Sequence, residues 1–167
     1  MTSMSTQSLV ALADIRPRAI DDWPRYQQEG EQFLQLAERA HQRHKKAFTT
    51  TILYNLVAMA IEKLVMAALM RCGRLPDNHT LHDLVAALER WLPETVRGLA
   101  EPLCQLDSFQ DICDPYASTI TAPSAGEVES MLILARKLEE RLAMGTVVLS
   151  REHGGSWGGA PSSSQAA

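Results

Sequence analysis

The chain has 167 residues, 46% of them apolar but only 5% aromatic, and a formal net charge of −4. That length suits one domain with a real core, and the charge excludes a global field that recruits nucleic acid. Ala, Leu, Glu, Gln and Arg dominate between the ends, and no segment alternates apolar and polar residues for long enough to make a half-buried strand. The predicted fold class is therefore all-α, and about five helices can be read along the chain. Residues 146–149 are the best strand candidate and are too short to found a sheet. Cys72, Cys104 and Cys113 are odd in number and lack CxxC spacing. Residues 1–8 are polar and uncharged, without the basic stretch that opens a secretory signal. The expectation is reduced thiols and a cytoplasmic location.

In chain order, residues 1–22 read as a flexible arm containing Pro17 and the Asp21-Asp22 pair. A first helix is predicted over 24–42, with Pro24 suited to the first turn and Tyr26, Phe33, Leu36, Ala37 and Ala40 as its buried stripe. The 39–46 stretch after it holds Arg39, His41, Arg43, His44, Lys45 and Lys46, the only dense basic run. Such cations complement a helix C-terminus. They also suit phosphates, although no aromatic residues interleave to stack bases.

The second helix is predicted over 47–72. It stops at Gly73, a C′-type glycine, with Pro76 three residues beyond. Its apolar residues cover more than one face, which places it at the centre of its domain or against a second subunit. Residues 49–70 approach the length of a membrane span. Glu62 and Lys63 near the middle each cost roughly 2.5–3.5 kcal/mol in a bilayer, so the segment reads as the central helix of a soluble bundle. Adjacent helical residues point about 100° apart, so each of these charges needs its own partner or a route to water. One reading gives Glu62 a polar groove shared with His82; the other lets Lys63 snorkel.

The third helix opens at Thr80, whose hydroxyl can cap it, with Asp83 favourable in the first turn. Leu81, Leu84, Val85 and Leu88 face inward and Pro93 closes it. A fourth helix over 94–109 contains Gly98 and Pro102, which disfavour a straight course, so two short pieces are the alternative. A loop with Pro115 and Pro123 follows. The last helix opens on a Ser124-x-x-Glu127 capping box and runs to Met144, ending at Gly145. Its stripe is Val128, Met131, Leu132, Ala135, Leu138 and Leu142. Residues 23–149 make the domain, and the Gly/Ser-rich 150–167 stretch, with Trp157 inside it, is expected to be a disordered tail.

Three stretches together resemble the HEPN domain (higher eukaryotes and prokaryotes nucleotide-binding), a family of small helical bundles. Ala60-Ile61-Glu62-Lys63-Leu64-Val65-Met66-Ala67-Ala68-Leu69 is similar to its long helix, and His82-Asp83-Leu84 with Ala87-Leu88 to its next helix opening. Tyr116, the proline loop and the helix after Glu127 resemble its last segment. The resemblance implies an antiparallel bundle that dimerises. It also implies a relationship to RNA-cleaving toxins, to partners of small nucleotidyltransferases and to non-catalytic binders. The cleaving members carry Arg-x(4–6)-His near a late helix, and here no His precedes His153 in the C-terminal third.

Arg74 and His79 do have Arg-x(4)-His spacing, in the turn after the second helix. A histidine there could relay a proton from a ribose hydroxyl, and an arginine could stabilise charge on the phosphate; both are equally ordinary polar turn residues. They are the candidate catalytic pair. His82, Asp83, Glu62, Arg39, Arg43, Lys45 and Lys46 are the candidate ligand-binding residues. His79 and His82, like His41 and His44, lack further ligands for a tetrahedral site, so no metal is expected. No Gly-rich phosphate loop or nucleophile elbow is present, and no cofactor is expected. The functional expectation that the resemblance implies is a non-catalytic HEPN-like binding module for a nucleotide, RNA or protein partner, with a toxin–antitoxin or nucleotidyltransferase-associated system as its setting. The alternatives are a metal-independent RNase toxin using Arg74 and His79, and a helical dimerisation scaffold. A homodimer is expected, with a nucleotidyltransferase-type or other protein partner, RNA or a nucleotide as the alternatives for what it engages, and no membrane.

Overall fold

A computed structural model of the chain describes residues 18–43, 47–109 and 122–153. His44, Lys45, Lys46, Cys113, the Pro115 and Tyr116 loop, residues 1–17 of the arm and 154–167 of the tail lie outside the described residues. Among those described there are six α-helices and no strand: α1 Trp23–Gln42, α2 Thr50–Arg71, α3 Leu81–Trp91, α4 Pro93–Val96, α5 Ala100–Gln105 and α6 Ala125–His153. A 3-10 turn, Leu106–Phe109, follows α5. The all-α class stands. The single fourth helix expected over 94–109 is instead α4, α5 and the 3-10 turn. The chain leaves helical geometry at Arg97 (ψ 119°) and turns through Gly98 at φ +71°.

α2 is the axis of the bundle. Twelve of its residues are buried, and from Leu64 to Met70 burial is continuous all round the helix. It has the length and mean hydropathy of a membrane span, yet 67% of its most apolar window is buried inside the bundle. α1 packs antiparallel to it, with Glu29 meeting Lys63 and Trp23 meeting Arg71. α6 runs antiparallel to α1 in turn, since Arg136 pairs with Glu38 while Glu140 and Ala143 line a cavity with Gln27 and Arg71.

α1 carries a rotated stripe. Leu34, Ala37 and Ala40 are in the core, whereas Leu36, expected inside, is 43% exposed. Gly30 faces Leu64 of α2, where an added Cβ would lie 2.8 Å from the Leu64 Cγ, and the buried face continues from it through Leu34 and Ala37. α2 begins at Thr50 rather than at residue 47. Thr49 is extended (ψ 162°) and its hydroxyl accepts the Ile52 N–H at 3.3 Å, so it caps the helix.

The last helix corrects two expectations. Ser124 and Glu127 form the reciprocal box, at 2.7 and 3.2 Å, and all six stripe residues are buried. But α6 passes straight through Gly145 to His153, taking in the candidate strand 146–149 and the first four residues of the expected tail. Gly145 is a contact residue, not a stop: a Cβ there would lie 2.7 Å from the Thr95 methyl of α4. Gly73 does end α2 as expected, at φ +67°. The end of the arm is pinned beside it, because the Ile20 N–H donates to the Met70 carbonyl at 2.9 Å.

Candidate functional site

The 74–80 segment doubles back along α2 before α3 begins. At its far end the His79 imidazole meets Glu62 through Nδ1 at 2.9 Å. At its near end the Arg74 guanidinium lies 3.8 Å from the centre of the Trp91 ring. Trp91 is the last residue of α3, and His79 lies two residues ahead of its first. The two anchors therefore sit at opposite ends of a helix about 15 Å long. The same geometry makes α3 run parallel to the second half of α2. Arg74 and His79 are held apart rather than converged on one reacting atom.

The α3 N-terminus is fully occupied. Thr80 accepts the Asp83 N–H at 3.1 Å and donates its hydroxyl to the Asp83 carboxylate at 2.6 Å. Asp107, from the 3-10 turn, accepts the Leu81 and His82 amides at 3.2 and 3.0 Å. These amides are the donors an anion would need, and they are already satisfied. Asp107 was not foreseen from the sequence. It is positioned by Tyr54 of α2, whose buried hydroxyl donates to the Leu106 carbonyl at 3.0 Å. Burial, with Asp107 nearby, pushes the Tyr54 hydroxyl up to about 12.

Glu62 has His79 as its partner, so the groove expected between Glu62 and His82 takes a different form. The His82 ring is exposed on the first turn of α3. Lys63 pairs with Glu29 at 2.7 Å and lies 4.3 Å from the centre of the Tyr26 ring, which accounts for its place on an apolar helix. The hydrogen bond from Lys63 holds the Glu29 carboxyl below its ordinary range. Asp83 is committed to the cap.

Arg39 and Arg43 lie at the C-terminal end of α1, with Arg39 donating to Gln35 at 3.4 Å. That is the opposite end of α2 from Arg74, about 30 Å away along a 22-residue helix. Arg39 and Arg43 and the turn therefore belong to two surfaces, not one.

Arg71 ends α2, and Arg74 and Arg90 meet at the last residue of α3. Arg71 stacks 4.5 Å from the centre of the Trp23 ring, and Arg90 joins Arg74 over Trp91 at 4.8 Å. Cys72 lies between Arg71 and Arg74, yet burial outweighs both cations and holds its thiol above the ordinary value. Cys104 is raised by burial as well, so neither thiol is an activated nucleophile. Among the described residues no group of three His, Cys, Asp or Glu side chains converges as metal ligands would.

Two concavities lie among the described residues. A cavity of about 280 Å³ between α1, α2 and α6 is lined by Gln27, Glu31, Arg71, Glu139 and Glu140 among others. Burial holds the Glu139 carboxyl above its usual range despite Arg136 beside it. A groove of about 630 Å³ between α5 and α6 is mostly apolar, with Phe109, Met131, Ile133 and Leu134 in its wall.

No family model matches the sequence, no curated protein matches it, and no solved structure matches the fold. The HEPN resemblance rests on the three sequence stretches that carry it.

Proposed function

We propose that the chain is a non-catalytic, HEPN-like binding module that works as a cytoplasmic homodimer and engages a nucleotide, RNA or protein partner. The observation that carries this reading is the separation of Arg74 from His79, each tied to a different residue at a different end of α3. General acid–base cleavage of RNA needs a proton relay and a phosphate-stabilising cation within reach of the same atoms. The polar groups around the turn serve the fold instead. His79 holds Glu62, Thr80 and Asp83 cap α3, and Asp107 caps it a second time. The groups left to face a partner are the arginines beside the turn and the Arg39 and Arg43 surface; Lys45 and Lys46 follow Arg43 in the sequence.

The RNase alternative would bring Arg74 and His79 together across a dimer rather than within one chain. Growth of cells overproducing the wild type or His79→Ala separates the two readings. The binding module leaves growth equal with both. Arrest by the wild type that His79→Ala abolishes contradicts it.

A further inference from the structure

We propose that the groove between α5 and α6 binds a monomeric fatty acid, its carboxylate on Lys137 and its hydrocarbon chain along the apolar wall. The site is separate from the 74–80 turn and from the Arg39 surface, so it goes beyond the binding-module reading and does not depend on it. The groove holds about 630 Å³, within the range that takes small organic ligands. Leu99, Leu106 and Met131 are buried beneath it, while Ile133 stands 52% exposed in its wall. Covering such a surface is favourable in proportion to the apolar area removed from water.

The charges select the occupant. Among the described residues the ionisable side chains lining the groove are Glu127 and Lys137, at opposite ends of an α6 wall about 15 Å long. Glu127 is already engaged, because its carboxylate accepts the Ser124 N–H at 2.7 Å. That bond holds the carboxyl below its ordinary range. Arg141 lies one turn beyond Lys137 on the same face of α6 and donates to the Arg97 carbonyl. Gly98, the next residue, lines the groove, so Lys137 and Arg141 flank the same end of it. A Cβ on Gly98 would meet nothing within 4 Å, and that end is therefore open. Glu94, the acid nearest Arg97, is paired with it. The groove thus runs from a carboxylate spent on a helix cap to an open cationic mouth. A single acid head on an unbranched chain answers both features, whereas a cationic amphiphile would set its charge against Lys137 and Arg141.

The test is isothermal titration calorimetry of the full chain with decanoate, kept below the concentration at which it forms micelles, beside octanoate and decylammonium. The expected result is saturable binding of one decanoate per chain. Octanoate binds about tenfold more weakly, since two fewer methylenes leave water, and decylammonium is weaker than decanoate by about tenfold or more. Lys137→Glu reverses the preference between decanoate and decylammonium, and Ile133→Ser weakens decanoate about tenfold. Arg25→Gln, on the exposed side of α1, leaves binding unchanged. Both groove positions are exposed, and an unaltered circular dichroism spectrum and urea midpoint show that the variants are folded. Absence of saturable binding, equal binding of decanoate and decylammonium, or binding indifferent to both groove variants overturns the proposal. Without decanoate binding, adsorption to anionic phospholipid vesicles would assign the groove to a membrane. A lower mass for Ile133→Ser in light scattering would assign it to a second copy of the chain. Either result overturns the proposal, and none of these outcomes bears on the binding-module reading.

Discussion

Asp107 accepts two α3 amides and Thr80 accepts one, so their removal should cost unequally. Asp107→Ala is expected to destabilise the fold by about 1–2 kcal/mol and Thr80→Ala by about 1 kcal/mol, read from urea unfolding. Equal costs would mean that the Asp107 cap contributes nothing beyond the local one. The Tyr54 hydroxyl that holds the Asp107 turn has its own signature. Its folded value, about 12, lies above the ordinary phenol value of 10.0. The protonated phenol is therefore favoured by folding. Its contribution is fully present below pH 10 and is lost as pH rises through about 12. Tyr54→Phe should lower stability by about 1 kcal/mol at neutral pH and flatten the alkaline decline, because no phenol remains to ionise. An alkaline limb as steep as that of the wild type would contradict this.

Among elements, α1 and α6 are tied by the Arg136 guanidinium, which reaches Glu38 at 2.5 and 3.1 Å and also contacts Glu139. Arg136→Ala leaves two half-buried carboxylates without their cation and is expected to cost about 1–3 kcal/mol. Arg136→Lys should recover only part of that, since an ammonium cannot fork across both. Full recovery would show that charge alone, not geometry, joins the helices. The elements also show what a sequence displays and what it hides. The caps at Thr80 and Ser124 were legible because their partners, Asp83 and Glu127, lie within three residues. Asp107 was not, because it reaches α3 from 25 and 26 residues away. The phase of α1 is ambiguous in the sequence between Leu34 and Leu36, since both satisfy a helical repeat, and the side that faces α2 is marked by Gly30 against Leu64. Gly145 carried the mark of a helix end, but its lack of a side chain serves the contact with Thr95. The Arg74 and His79 spacing was visible in the sequence, whereas their separation depends on how the turn doubles back along α2.

At the scale of the whole molecule, Ile52 and Met59 are each 41% exposed on α2, seven residues apart and so on one face. If the proposed dimer forms there, Ile52→Glu with Met59→Glu should halve the mass measured by light scattering. A wild type that is monomeric at micromolar concentration contradicts the dimer itself, and a variant that stays dimeric moves the interface elsewhere. The central claim is that this chain binds without cutting. It is tested most directly by incubating a mixed single-stranded RNA with wild type and with His79→Ala in the presence of EDTA. The expected result is intact RNA with both proteins. Cleavage by the wild type that is lost in His79→Ala would contradict the account and make the 74–79 turn an active site.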